Sequence, residues 1–275
     1  MEFVIERPGG LSLAGEQTGE GLPVVLLHGL TATRRYVVHG SKALQRSGHQ
    51  VITYDARGHG SSSPAADSQS YGYSELTEDL EAVLDQLGIE RAVLAGVSMG
   101  AHTLLGFALR HPQRVAGLVV ITPAYSGDAA LERTRFERWD RLAAGLRAGG
   151  IEGFVDAYEL PPAMPEAIAA TVLTVIRQRL ALQEHPEALA DALQVVPRSA
   201  PFSRITDLAA LELPVTIVAS SDQHDPEHPE AVARAYADTI TDAELITDEP
   251  GRSPLAWQGS QISKVIAATA ARAFG

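Results

Sequence analysis

Short apolar runs recur along the chain and alternate with segments of helical period. Valine, leucine and isoleucine dominate 23–27 (PVVLL), 49–55 (HQVITYD), 91–96 (RAVLAG), 115–122 (VAGLVVIT), 214–220 (PVTIVAS) and 243–247 (AELIT). These runs are continuous rather than alternating, which is the pattern of strands covered on both faces. The clearest helix is 74–88, SELTEDLEAVLDQLG, where Leu76, Leu80, Val83 and Leu87 fall on one face. Ser74 is expected to cap its start and Gly88 to end it. Alternating strands and helices predict βαβ units: an α/β fold with a mostly parallel central sheet and helices on both faces.

From about Tyr125 to about Asp207 the alternation stops. ALERTRFERWDRLAAGLRAGG and PEAIAATVLTVIRQRLALQEH read as helices joined through ELPPAMP, and no strand is evident. The domain reading is therefore a core of 1–124 and 208–275 with a helical insertion at 125–207. The insertion leaves from the carboxyl end of a strand, where open α/β sheets bind ligands. It is expected to form a lid over the site. Phe136, Trp139, Phe154 and Tyr158 are its candidate wall residues, with Trp139 the expected substrate contact, although aromatics at such spacings also pack a lid onto its core.

Composition narrows the function. The chain has 275 residues and a formal net charge of −12, which gives it no general attraction to nucleic acid or to an anionic membrane surface. It has no cysteine, so disulfides, thiolate metal sites and a cysteine nucleophile are excluded. The start, MEFVIERPGG, lacks the pattern of a secretory signal, and no apolar run approaches the ~20 residues of a membrane helix. A cytoplasmic protein with a small-molecule substrate is expected. No dinucleotide-binding motif and no metal-ligand spacing stands out, so no cofactor is expected. The sequence does not set the oligomeric state.

The chemistry-bearing motif is Gly96-Val97-Ser98-Met99-Gly100. It follows a predicted strand and opens a predicted helix, the context a nucleophile elbow requires. The strand-to-helix turn is tight, so side chains at the two glycines would collide with neighbouring backbone. The helix N-terminus directs its N–H groups at any developing oxyanion. His28-Gly29 ends the first buried strand, which places the Leu30 N–H as a second oxyanion donor beside that of Met99. His28 is expected to line this loop, and YDARGHGSSS adds a glycine-rich turn in which Arg57 and Asp55 are expected to pair and His59 to be solvated.

LLHGL, DARGHGSS, GVSMGA and HPQRVAGLVVI occur in an order and spacing that resemble α/β-hydrolase-fold proteins of the lidded kind, over nearly the whole chain. The resemblance implies a serine nucleophile at Ser98, an oxyanion hole from Met99 and Leu30, an acid after PVTIVAS and a histidine after AELIT. The acid loop, SDQHDPEHPE, offers Asp222 and Asp225. Counting from Pro214 favours Asp222. Counting back from the following helix favours Asp225, and DPEHP resembles the usual loop start.

The histidine is missing. Its place reads Gly251-Arg252-Ser253-Pro254, and an arginine stays protonated and cannot accept a proton from serine. Three readings follow. In the first, the base has moved to the acid loop, as His224 or, preferably, His228. His102, four residues after Ser98, lies too far along the helix and is expected to pack. In the second, Arg252 binds an anionic substrate in a non-hydrolytic enzyme of lyase or cyclase type. In the third, the protein is a ligand-binding relative. The first is preferred: a cofactor-free serine hydrolase of a small carboxylic ester, lactone or thioester, with Ser98, His228 and Asp225 or Asp222 as its catalytic residues and His28, Trp139 and Arg252 near the substrate.

Overall fold

The structure is a computed structural model, and it describes residues 1–127, 129–162, 164–220, 225, 227–247 and 259–275, with the backbone alone for 129–134. In chain order the elements are β1 (Glu2–Glu6), β2 (Ser12–Thr18), β3 (Leu22–Leu27), α1 (Ala43–Arg46), β4 (His49–Tyr54), α2 (Tyr73–Gln86), β5 (Ala92–Val97) and α3 (Met99–Arg110). There follow β6 (Val115–Ile121), α4 (Ala129–Ala157), α5 (Glu166–Leu180), α6 (Pro186–Val195), β7 (Val215–Ala219), α7 (Glu230–Thr239), β8 (Ala243–Thr247) and α8 (Gly259–Phe274).

Among the described residues the strands form one sheet in the order β1-β2-β4-β3-β5-β6-β7-β8. From β4 to β8 every pairing is parallel. The six continuous apolar runs are the six parallel strands. Their period of two feeds both faces: Val25, Leu27, Leu94 and Val120 pack with α2, α3 and α7, whereas Val24, Leu26, Val93 and Val119 pack with α1 and α8. The two antiparallel strands, β1 and β2, have no counterpart in the sequence reading. Each is covered on one side only and mixes glutamates with its apolar positions, so neither makes a continuous run.

The helix expected at 74–88 starts earlier. Its N-cap is Gly72, and Ser74 lies inside the first turn. The Tyr73 N–H finds its partner in Ser199 Oγ at 3.1 Å, so a side chain distant in sequence supplies the cap. The other end closes as expected: Gly88 N–H donates to Asp85 O, and Ile89 N–H to Leu84 O, a pair of bonds that satisfies the last carbonyls.

Helices α4, α5 and α6 lie between β6 and β7 in the chain. The first of them reverses sharply at Gly149 and Gly150, where Gly150 has φ 60°. Its two halves meet at Gly145 and Gly153, where a Cβ on either residue would fall on the other's backbone carbonyl. A third apolar cluster joins these helices to Leu30, Tyr73, Leu76 and Met99, so the insertion packs onto the carboxyl end of β3 and the start of α3. No helix among the described residues is long and apolar enough to cross a membrane.

Candidate active site

Ser98 stands between β5 and α3 with φ 51° and ψ −111°, a region costly for any residue with a Cβ, by roughly 1–3 kcal/mol. The turn is over-determined by its neighbours. A Cβ at Gly96 would overlap the Gly100 carbonyl group, and one at Gly100 would overlap the Leu27 carbonyl. Ser98 N–H donates to Ile121 O at 3.0 Å, tying the turn to β6. The serine side chain is held out of the sheet and keeps partial access to solvent.

His228 reaches it from the loop after β7. Its Nε2 lies 3.0 Å from Ser98 Oγ, and its Nδ1 lies 2.8 Å from Asp225 Oδ2. The carboxylate fixes the proton on Nδ1, which leaves Nε2 as acceptor for the serine hydroxyl. Burial by itself lowers the His228 pKa. The Asp225 charge and hydrogen bond, with Glu227, outweigh it and raise the imidazole above its ordinary 6.5. Asp225 is held below the usual carboxylate range: burial opposes this, but His228, the Glu227 N–H and Arg138 prevail.

The loop is anchored from α4. Arg138 Nη1 donates to Glu227 Oε1 at 2.6 Å, and Arg135 Nε lies 3.8 Å from Glu227 Oε2. Glu227 and Arg138 were not singled out from the sequence, because nothing in a surface-type Glu or Arg marks a partner 89 residues away.

The amides of Met99 and Leu30 border the same turn. Met99 is the first residue of α3, so its N–H has no intrahelical acceptor. Gly29 lies against Ser98: a Cβ built on it would be 3.6 Å from Ser98 Cβ. The Leu30 peptide is held by His59, whose Nε2 meets Leu30 O at 2.7 Å. Gln183, just beyond α5, donates to the Thr31 and Ala32 carbonyls at 3.3 and 3.2 Å and accepts from Gly60 N–H at 2.7 Å.

Several expected placements differ. His28 is buried, and both ring nitrogens serve the backbone: Nδ1 meets Gly29 O at 2.9 Å and Nε2 accepts from Ala56 N–H at 2.9 Å. Burial, with the His59 charge, pushes it down to about 4, so it is a neutral loop-orienting group rather than a substrate contact. His59 is not solvated but 1% exposed, between the carbonyls of Arg57 and Leu30. Arg57 does not pair with Asp55. It makes a two-pronged bond to Asp79 at 2.7 Å, while Asp55 takes the Arg34 side chain and the Ser61 N–H.

His102 is buried with its polar atoms engaged, by Tyr73 Oη at 3.0 Å and by the Ala124 and Tyr125 amides at 3.0 and 3.1 Å. Trp139 packs into the apolar cluster of Leu30 and Met99, with its indole N–H enclosed and unbonded among the described residues. Phe136 is half-buried beneath the surface residue Arg198, and Phe154 is 2% exposed inside the helical cluster, so Phe154 is not exposed to a ligand. Tyr158 stacks on Phe154 and beneath Arg138. Arg252, Asp222 and His224 lie outside the described residues. Among the described residues no three His, Asp or Glu side chains gather as metal ligands.

The model of the alpha/beta hydrolase fold family matches residues 23–163, from β3 into the start of the insertion. The chain belongs to that family. The alpha/beta hydrolase chain is 40% identical over 147 residues to the sn-1-specific diacylglycerol lipase ABHD11 of Mus musculus, a match covering 53% of this chain and 42% of the mouse protein. It thus spans less than half the length of that relative. A putative carbamate hydrolase RutD of Azorhizobium caulinodans is 28% identical over 86% of both chains. Among solved structures, a thermophilic esterase from Thermogutta terrifontis, in a malate-bound form, aligns with a TM-score of 0.72 and 25% identity, over 98% of this chain and 96% of the other.

Proposed function

We propose that the protein is a cofactor-free serine hydrolase of a small carboxylic ester, lactone or thioester, with Ser98 as nucleophile, His228 as base and Asp225 as its orienting acid. The observation that carries this is the continuous chain Ser98 Oγ to His228 Nε2 at 3.0 Å and His228 Nδ1 to Asp225 Oδ2 at 2.8 Å. Relatives named as lipases, carbamate hydrolases and esterases support the hydrolytic class.

In this reading Ser98 Oγ attacks the substrate carbonyl while His228 Nε2 takes the hydroxyl proton. Negative charge gathers on the former carbonyl oxygen, where the Met99 and Leu30 N–H groups receive it. Each such donor contributes on the order of 10²–10³ in rate. The C–O or C–S bond then breaks, and the leaving group departs with the proton held by His228. A water molecule repeats the sequence on the acyl-enzyme: it gives its proton to His228, attacks the ester carbonyl, and releases the acid and Ser98. Residues 125–207 act as a lid, with α4 holding the base loop through Glu227 and the stretch after α5 holding the oxyanion loop through Gln183. No metal or cofactor takes part.

Intact-mass spectrometry after exposure to a fluorophosphonate probe tests the reading. One adduct is expected on the unmodified protein, and none on Ser98→Ala or His228→Ala. Absence of any adduct on the unmodified protein would overturn it and leave Ser98 without a working base.

A further inference from the structure

The inward face of α5 carries a charge that the reaction above does not use. Ile176, Arg179, Leu180 and Gln183 follow the spacing of one helical stripe. Ile176 and Leu180 are buried in the cluster that holds Leu30 and Met99, and Gln183 bonds the oxyanion loop. Arg179 thus occupies the middle of the side that faces the site, where packing alone would favour an apolar residue.

Among the described residues this guanidinium has no counter-ion at ion-pair distance. Its Nε is enclosed without a hydrogen-bond partner, and among the described residues the side chain makes no hydrogen bond or ion pair. The side chain as a whole keeps partial access to solvent, so a ligand can reach it. The neighbouring charges are otherwise matched: Arg138 and Arg135 serve Glu227, and Asp225 serves His228. Burial lowers the pKa of Arg179, against attraction from Tyr158, Tyr36 and Asp225. An arginine stays charged regardless. An enclosed, unpaired cation is costly to the fold, and in a chain of net charge −12 it is poorly explained as surface charge balance.

We propose that Arg179 is the recognition group for a free carboxylate on the substrate, so that the preferred substrates are esters, lactones or thioesters bearing a second, ionised carboxyl group. A guanidinium presents paired N–H donors that match a carboxylate edge. Its reaction rests on the hydrolase reading, but its anion recognition does not.

The test uses the mono-4-nitrophenyl esters of succinic, glutaric and adipic acids, each beside its neutral methyl-capped counterpart. The intact enzyme is expected to favour the free acid over the capped ester by at least tenfold in kcat/KM at the best chain length. Arg179→Gln should bring that ratio close to one, and Arg179→Lys, which keeps the charge, should retain most of it. The same pairs are titrated by calorimetry into the Ser98→Ala protein with and without Arg179→Gln. There the half-acid should lose tenfold or more in affinity relative to its capped partner.

An unchanged ratio in Arg179→Gln overturns the proposal, as does an equal loss in Arg179→Lys, which would mean packing rather than charge. The two readings fail separately. Turnover of both esters without preference for the acid sinks carboxylate recognition and spares the hydrolase. No turnover, with Arg179-dependent binding in the Ser98→Ala protein, does the reverse.

Discussion

Two regions around Ser98 use histidine in opposite ways. Beneath the turn at Ser98, His28, His59 and His102 are buried, and their nitrogens meet backbone groups or the Tyr73 hydroxyl. Burial lowers all three pKa values, so they are neutral struts. On the loop after β7, His228 has a carboxylate on one nitrogen and the serine on the other, and its pKa is raised. Proximity to the serine does not make a base. His102 is four residues from Ser98 in sequence, and it is bound to the α3 side of the fold by three polar partners. What distinguishes His228 is an anion on its far nitrogen, which in the proposed reaction stabilises the imidazolium formed when the serine gives up its proton.

The comparison breaks most sharply if the wrong histidine matters. His228→Ala is expected to lower kcat by about 10³- to 10⁴-fold in an ester-hydrolysis assay. If His102→Ala did this instead, with His228→Ala active, the assignment would be reversed. Next in size, Asp225→Asn should cost about 10³-fold in kcat by removing the group that sets the tautomer. The pH profile sharpens the same point. The base works when neutral, so kcat/KM should rise with pH through an acid limb whose midpoint lies above 6.5, and Asp225→Asn should move that midpoint down.

The strut histidines should show themselves in stability. His102→Ala removes three polar contacts from a buried site and should cost about 3 kcal/mol in chemical denaturation. The smallest effect expected is that of Gly100→Ala, which presses a methyl group on the Leu27 carbonyl, at about 1–3 kcal/mol on the same scale. Its Tm should fall together with fluorophosphonate labelling, because it strains the turn that both regions share.

Much of the architecture was legible because burial on two faces forces continuous apolar runs. PVVLL, RAVLAG and VAGLVVIT could be little else than covered strands, and they are β3, β5 and β6. The edge strands β1 and β2 were not legible, since a half-covered strand needs only Ile5 or Leu13 on its inner side. The helix start at Tyr73 was missed for a different reason: its cap, Ser199, comes from another part of the chain. At the site, Gly96 and Gly100 were readable because a tight turn excludes Cβ atoms by local geometry alone. Glu227, Gln183 and Arg179, unpaired among the described residues, were not, since their meaning lies in partners, or the lack of them, across the insertion.

The sequence by itself determined the parallel sheet, the glycine-flanked serine between a strand and a helix, and the arginine where the family's histidine would stand. Those follow from local sterics and from the period of apolar residues, which act over a few positions. It narrowed the candidate base to two loop histidines, with His228 preferred, and the candidate acid to two aspartates, with a lean to Asp225. Only the tertiary structure brought His228 Nε2 to 3.0 Å from Ser98 Oγ across 130 residues, buried His28 and His59 against backbone carbonyls and amides, and left Arg179 Nε enclosed without a partner among the described residues. Which polar groups meet, and which are left unmatched, depends on how the loops after β3, β4 and β7 pack against the insertion, and no local pattern encodes that.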